Sequence, residues 1–206
     1  VDARGPKAVV RAGYDALSYR YRADDAAAEQ YEPWLDMVRE RLRPGSAVLE
    51  LGCGCGVPVA RDLLAAGLGV TGVDISDVQI ERARRLVPQA TFIRCDFADL
   101  AFEDESFEAI TCFYALIHVP LPEQPPLLDR IARWLAPGGI FLATVGNTAW
   151  TGTEDSWLGG EAAMWWSHAD ANTYRGWLAG AGLVIVEEKF VPEGTGGHLF
   201  VAAERR

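Results

Sequence analysis

The sequence predicts a single doubly wound α/β domain, and three observations predict it. Short apolar runs alternate with helix-like stretches from about residue 46. A glycine-rich turn joins the first run to the first helix, and acidic residues close the next two runs. At 206 residues, with half of them apolar, the chain has material for one full core and little room for a second.

The elements follow in order. Ala47–Leu51 reads as a buried strand ending in glycines, and Val57 to Ala66 as a helix with Pro58 in its first turn and Gly67 as its stop. Gly69–Val73 is the second strand, closed by Asp74. Ser76 or Asp77 can cap the helix that runs through Arg85 to Pro88. Thr91–Cys95 is the third strand, followed by Asp96, and Phe107–Phe113 is the fourth. Leu127–Leu135 carries helical spacing and is stopped by Pro137-Gly138-Gly139. Ile140–Val145 is the fifth strand. Such alternation implies a mainly parallel sheet covered on both faces. The tail differs: a helix near 171–181 precedes two strand-like runs, 183–191 and 199–203. The short link Gly194-Thr195-Gly196-Gly197 favours an antiparallel pair at the sheet edge.

Two regions fall outside this rhythm. Residues 1–43 have helical patterning and four tyrosines, and read as a cover. Residues 147–170 are rich in Gly and Trp and read as a substrate insertion between the core at 44–146 and the final helix and edge strands at 171–206. Open α/β sheets bind ligands at the carboxyl ends of their strands, where both regions could reach.

Composition excludes several classes. The net charge is 19 − 29 = −10, which repels phosphate backbones and anionic membranes, so neither nucleic acid nor a membrane is expected as a partner. No apolar run is long enough for a transmembrane helix. Val1–Lys7 lacks the apolar core of a signal peptide, and there is no initiator Met. Cys53, Cys55, Cys95 and Cys112 form no C-x-x-C pair. They read as reduced, buried thiols in a cytoplasmic protein and not as a zinc site.

The sharpest signal is Glu50-Leu51-Gly52-Cys53-Gly54-Cys55-Gly56 between a strand and a helix. Glycines permit the turn and let a ligand approach the backbone, while the helix start offers free N–H groups. The spacing is G-x-G-x-G. A dinucleotide fingerprint needs glycine where Val57 stands, and the Gly-Lys-Ser/Thr of a P-loop is absent. Asp74 can accept from both hydroxyls of a ribose. Asp96 can accept from the exocyclic amine of an adenine lying against Phe97. Each acid alone could simply cap its strand, but the two in register with the glycine loop point to a nucleoside.

On these residues the chain resembles the class I S-adenosylmethionine-dependent methyltransferases. Val48–Gly56 is similar to their first motif, Val70–Ser76 to the acidic second element and Phe92–Phe97 to the adenine-contacting one. Phe107–Pro120 and Leu127–Val145 resemble the later motifs. The resemblance is close over about 46–146 and loose at the edge strands. It implies S-adenosylmethionine as cofactor and a Rossmann-like seven-stranded sheet in the order 3-2-1-4-5-7-6 with strand 7 antiparallel. It implies that Gly52, Cys53 and Gly54 line the methionine part, Asp74 binds the ribose, and Ile75, Asp96 and Phe97 surround the adenine. Phe113 joins these contacts, and Tyr14 and Tyr19 close over the cofactor. Cys55 departs from the Thr, Pro or Ser usual there, which leaves the backbone contacts intact.

Methyl transfer is an in-line displacement that needs alignment, dryness and, for a hydroxyl or protonated amine, a base. His118, just after the fourth strand, and His168, before the late helix, are the candidate bases. His198 reads as an edge-strand surface residue. Either candidate could equally be a packing or capping residue. Trp150, Trp157, Trp165 and Trp166 crowd one insertion and suggest a pocket wall over an aromatic or hydrophobic acceptor, or alternatively a core or dimer contact. The leading expectation is a monomeric or homodimeric enzyme that methylates oxygen or nitrogen of a small metabolite. Methylation of a macromolecule, or cofactor binding without methyl transfer, are the alternatives. The Asn/Asp-Pro-Pro-Tyr motif of enzymes acting on base amines is replaced by Cys112-Phe113-Tyr114-Ala115.

Overall fold

The computed structural model describes residues 5–206. Helices α1 (Pro6–Tyr21) and α2 (Glu32–Arg41) precede the alternating unit β1 (Ala47–Leu51), α3 (Val59–Ala65), β2 (Gly69–Asp74), α4 (Asp77–Leu86), β3 (Thr91–Arg94) and β4 (Phe107–Cys112). Then come α5 (Gln124–Trp134), β5 (Leu135–Gly146), β6 (Trp150–Glu154), β7 (Met164–His168), α6 (Ala171–Gly180), β8 (Leu183–Glu193) and β9 (Gly196–Arg205). Seven strands form one sheet in the order β3-β2-β1-β4-β5-β9-β8. The first five are parallel, and β9 is antiparallel to both β5 and β8. Because β6 and β7 stand apart as a hairpin, this is the expected order with the last two strands renumbered.

The chain steps outward from β1 to β3, then returns to place β4 against the other side of β1. That reversal opens a crevice beyond the carboxyl ends of β1 and β4, the usual ligand position in such sheets. Period-2 alternation sends Leu49, Leu51 and Val73 to one face and Val48 and Val70 to the other. Trp134 and Tyr174, from α5 and α6, cover the first face, and Trp34, Leu63 and Ile80, from α2, α3 and α4, cover the second. Trp34 stacks on Phe200 of β9 with centroids 4.7 Å apart, so α2 closes the far side of the sheet.

Local chemistry explains the helix ends. Ser76 Oγ accepts from Gln79 N at the start of α4, and Asp170 Oδ1 accepts from Thr173 N at the start of α6. Three elements differ from expectation. Helix α5 begins at Gln124 because Pro125 and Pro126 fall in its first turn, where no N–H is needed. Strand β5 begins at Leu135, which pairs with Phe107 before a register shift, so the Pro-Gly-Gly corner lies inside the strand. The insertion holds the β6–β7 hairpin, with Trp150 opposite His168 and Gly152 opposite Trp166. Its Trp and Thr residues suit strands, but its glycines blur the alternation that would announce them. No helix of the described residues is long and apolar enough to cross a membrane.

Candidate functional site

The crevice is built from backbone first. The amides of Gly52 and Cys53 both donate to Val73 O, at 2.8 and 2.9 Å, which ties the glycine loop to the end of β2. Gly52 has φ +73°, and a Cβ there would sit 2.2 Å from the Cβ of Ala115. Only glycine fits on both counts. Asp74 then bridges two loops: Oδ2 accepts from Gly54 N at 2.9 Å and Oδ1 from Ser76 N at 2.8 Å. Each oxygen retains a lone pair. Burial pushes this carboxyl up to about 6, although the amides on it act in the opposite direction.

Gly52, Gly54, Asp74, Ile75, Asp96, Phe97, Phe113, Tyr14 and His118 all line one cavity. Nine expected site residues from five separate stretches are thus brought together. Asp96 Oδ1 accepts from Ala98 N at 2.9 Å, while Oδ2 pairs with Lys7 Nζ at 2.6 Å. Lys7 also pairs with Glu123. Helix α1 is therefore latched across the adenine side by a residue whose sequence context carried no signal.

Three expected residues lie elsewhere. Tyr19 is 62% exposed with the Arg82 guanidinium 3.9 Å from its ring centroid, on the opposite side of α1 from the cavity. The spacing of five between Tyr14 and Tyr19 turns a helix about 140° past a full turn, so both cannot face one ligand. Tyr21, seven residues after Tyr14, does reach the cavity. Cys53 lines a smaller adjoining space instead, beside Glu50 and Gly54. His168 packs on Gly146, where a Cβ would meet its Nδ1 at 2.3 Å, and that nitrogen donates to Thr148 O at 2.7 Å.

His118 is buried at the cavity wall. Its Nδ1 lies 2.7 Å from Trp165 O and its Nε2 lies 3.1 Å from Tyr14 Oη. A carbonyl can only accept, so Nδ1 carries the proton and Nε2 accepts from the Tyr14 hydroxyl. Burial lowers this imidazole to about 4, which leaves it neutral at pH 7. Around this pair stands an aromatic cap. Tyr14 meets Trp157 at 4.9 Å and Tyr21 at 5.2 Å, and His118 meets Trp166 at 4.5 Å. Trp157 is buried, whereas Trp150 is exposed, so the four tryptophans do not act as one wall.

A second group lies beside the cavity. Tyr114, which lines it, has φ +55° and stands edge-on to His198 at 5.3 Å. His198 Nε2 is 3.0 Å from Glu193 Oε2. Among the described residues, no group of three or more His, Cys, Asp or Glu is arranged to hold a metal. All four cysteines are free.

A glycine loop on a parallel sheet, an acid after β2 and a second acid after β3 are the arrangement expected of a nucleoside-binding methyltransferase fold. Residues 48–139 match the family model described as a methyltransferase domain. A sterol 24-C-methyltransferase of Yarrowia lipolytica is 31% identical over 129 residues, which cover 60% of this chain and 33% of that protein. The chain spans about a third of the length of this relative. Magnesium protoporphyrin IX methyltransferase of Synechocystis, solved with bound S-adenosylmethionine, is 20% identical with a TM-score of 0.75 and covers 100% of both chains. The [4+2]-cyclase SpnF shares the fold with a TM-score of 0.66, 23% identity, and coverage of 89% of this chain and 84% of its own. A methyltransferase domain thus spans residues 48–139, and the fold around it is that of the S-adenosylmethionine-dependent methyltransferases.

The cofactor of that family is S-adenosylmethionine, and the residues present fit it. Asp74 suits a ribose diol. Gln79 Nε2, on the cavity wall, and Glu50 Oε2, in the adjoining space, are buried with no protein partner. Burial and the nearby Asp74 charge raise the Glu50 carboxyl to about 8. A polar ligand along the glycine loop would give both orphaned atoms a partner.

Proposed function

We propose that the chain transfers a methyl group from S-adenosylmethionine to oxygen or nitrogen of a small, apolar or aromatic acceptor. The observation that carries this reading is Asp74. Its carboxylate is oriented by the amides of Gly54 and Ser76, and it shares one cavity with Asp96 and Phe97. Gly52, Gly54, Asp74, Asp96 and Phe97 would hold the cofactor, which supplies an activated methyl group when bound. The protein contributes alignment and exclusion of water. Val10, Phe113 and Val119 give the cavity its apolar wall, and the cap of Tyr14, Tyr21 and Trp157 shields it. This lining supports a hydrophobic acceptor, and the acidic surface disfavours nucleic acid.

Carbon is a second acceptor, favoured by the sterol relatives whose name places methylation at carbon 24. His118 bears on the choice. A neutral imidazole already accepting from Tyr14 is a weak base, and an alkene acceptor needs none at the attack step.

Calorimetric titration with S-adenosylhomocysteine tests the cofactor reading, with one site per chain expected. Product analysis then separates the acceptors. S-adenosylhomocysteine release with aryl alcohols and amines supports oxygen or nitrogen. Release with alkenes alone supports carbon. Tight binding with no release from any acceptor would move the protein to non-methylating chemistry, the reaction type for which SpnF is named. No binding at all refutes the proposal.

A further inference from the structure

We infer that His198, oriented by Glu193, is the base that accepts the proton of a protic acceptor. This rests on the methyltransferase reading above and narrows it to acceptors carrying a hydroxyl or N–H. Strand β9 enters the sheet between β5 and the edge strand β8 at this point, with His198 paired across to Gly146 on β5 and Val191 on β8. Gly146 has no side chain and Val191 is apolar, so neither competes for the imidazole. The titratable groups around it are Glu193 from β8, Tyr114 and His118 from the segment after β4, and His168 from β7, the last with ring centroids 6.5 Å apart.

The pairing fixes the tautomer. Glu193 is ionised, and its contact with His198 lowers its pKa further. A carboxylate accepts, so Nε2 must donate to it across the 3.0 Å gap. Nδ1 is then the lone-pair nitrogen. It is buried and has no protein partner. A buried acceptor without a donor marks a place where a donor binds. Tyr114 is the ring shared by this dyad and the cavity. It is held at φ +55°, which is uncommon for a bulky residue, and its amide donates to Thr144 Oγ1 at 2.5 Å. The dyad therefore lies behind Tyr114 from the cavity and near Tyr21, whose phenol is raised by burial and further by the Glu193 charge, while His118 is committed to Tyr14 and Trp165.

The chemistry balances. The bond that forms joins the acceptor oxygen or nitrogen to the methyl carbon, and the bond that breaks joins that carbon to the sulfonium sulfur. The acceptor's proton passes to His198 Nδ1, and Glu193 stabilises the resulting imidazolium. In this assignment the acceptor reaches His198 past the Tyr114 ring, which makes His198 catalytic, whereas Glu193 is a positioning residue that acts through it. General-base assistance of this type contributes about 10²–10⁴-fold in rate.

The test uses 4-nitrophenol, whose phenolate absorbs in the visible, added to protein saturated with S-adenosylhomocysteine. The bound dye is expected to ionise at a lower pH than free dye. The shift should be lost in His198→Ala and His198→Gln and reduced in Glu193→Gln, with S-adenosylhomocysteine affinity within threefold of the parent in all three. The ¹⁵N signal of His198 Nδ1 in the unmodified protein should move on adding the dye but not on adding nitrobenzene, which needs no variant to fold. Identical dye ionisation in parent and His198→Ala, or no binding of dye to the saturated protein, overturns the inference while leaving cofactor binding intact. Failure to bind S-adenosylhomocysteine sinks the underlying reading as well.

Discussion

The two halves of the site are built by different means. The cofactor half is mostly backbone: Gly52, Gly54 and the amides that hold Asp74 all lie within 25 residues of chain, at the ends of adjacent parallel strands. The acceptor half is mostly side chain. Tyr14 and Tyr21 come from α1, Tyr114 and His118 from the turn after β4, Trp157 and Trp165 from the hairpin, and His198 from β9. A backbone cradle depends on a few glycines and one strand order, which many sequences can share. A cap of converging side chains depends on long-range packing and can be rebuilt to suit a different acceptor.

Asp74→Ala attacks the first half at its pivot and carries the largest expected effect. It removes up to two charge-assisted hydrogen bonds to the ribose, each about 1.5–3 kcal/mol. Calorimetry should show a loss of S-adenosylhomocysteine affinity of roughly a hundredfold or more. Affinity within threefold of the parent would detach Asp74 from the site.

Trp157→Ala attacks the second half. Trp157 is buried between Tyr14 and Tyr21, and truncation of a buried Trp costs about 3–5 kcal/mol when the space does not refill. The loss here should be smaller, because only α1 and the hairpin share the cavity that is created. The thermal midpoint should fall and hydrogen exchange should rise in α1 while β1 and β4 stay protected. Uniform loss of protection would mean that the cap and the sheet form one cooperative unit.

The halves should also separate by pH. In the cofactor half, the folded pKa values of Glu50 and Asp74 are raised, to about 8 and about 6, above ordinary carboxylate values. Their contribution to stability is full below about 4 and is lost as pH rises through those values. In the cap, the folded pKa of His118 is lowered to about 4 from 6.5. Its contribution is full above 6.5 and is lost as pH falls towards 4. Between about pH 4.5 and 6 the two carboxyls outweigh the one imidazole, so the thermal midpoint of the ligand-free protein should fall with rising pH, level off between about 6 and 6.5, and fall again towards 8. Glu50→Gln should flatten the decline towards pH 8, and His118→Gln should steepen the fall between about pH 4.5 and 6. A midpoint still rising between pH 6.5 and 8 would contradict the buried carboxyls.

The smallest effect is expected at Tyr19→Ala. Its removal forfeits one cation–π contact with Arg82, about 0.5–1 kcal/mol, and should leave S-adenosylhomocysteine affinity unchanged. A tenfold loss would restore Tyr19 to the cofactor half.

The sequence by itself determined the parallel sheet with its antiparallel edge and the candidate site residues at 52–56, 74 and 96. The reason is that each depends on local pattern: apolar runs of strand length, glycines at a tight turn, and one acid at each strand end. Helix α5 was legible apart from its start, where the two prolines were read as outside a helix that they begin. Tertiary structure alone decided the rest. Lys7 meets Asp96 across 88 intervening positions, Tyr21 replaces Tyr19 through helical phase, and the tryptophan-rich insertion folds as a hairpin only because its two arms pair. His198 and Glu193 are unremarkable on an edge strand until the sheet order sets them beside Tyr114. Contacts between distant segments are chosen by packing and strand register, and neither is written in any one stretch of residues.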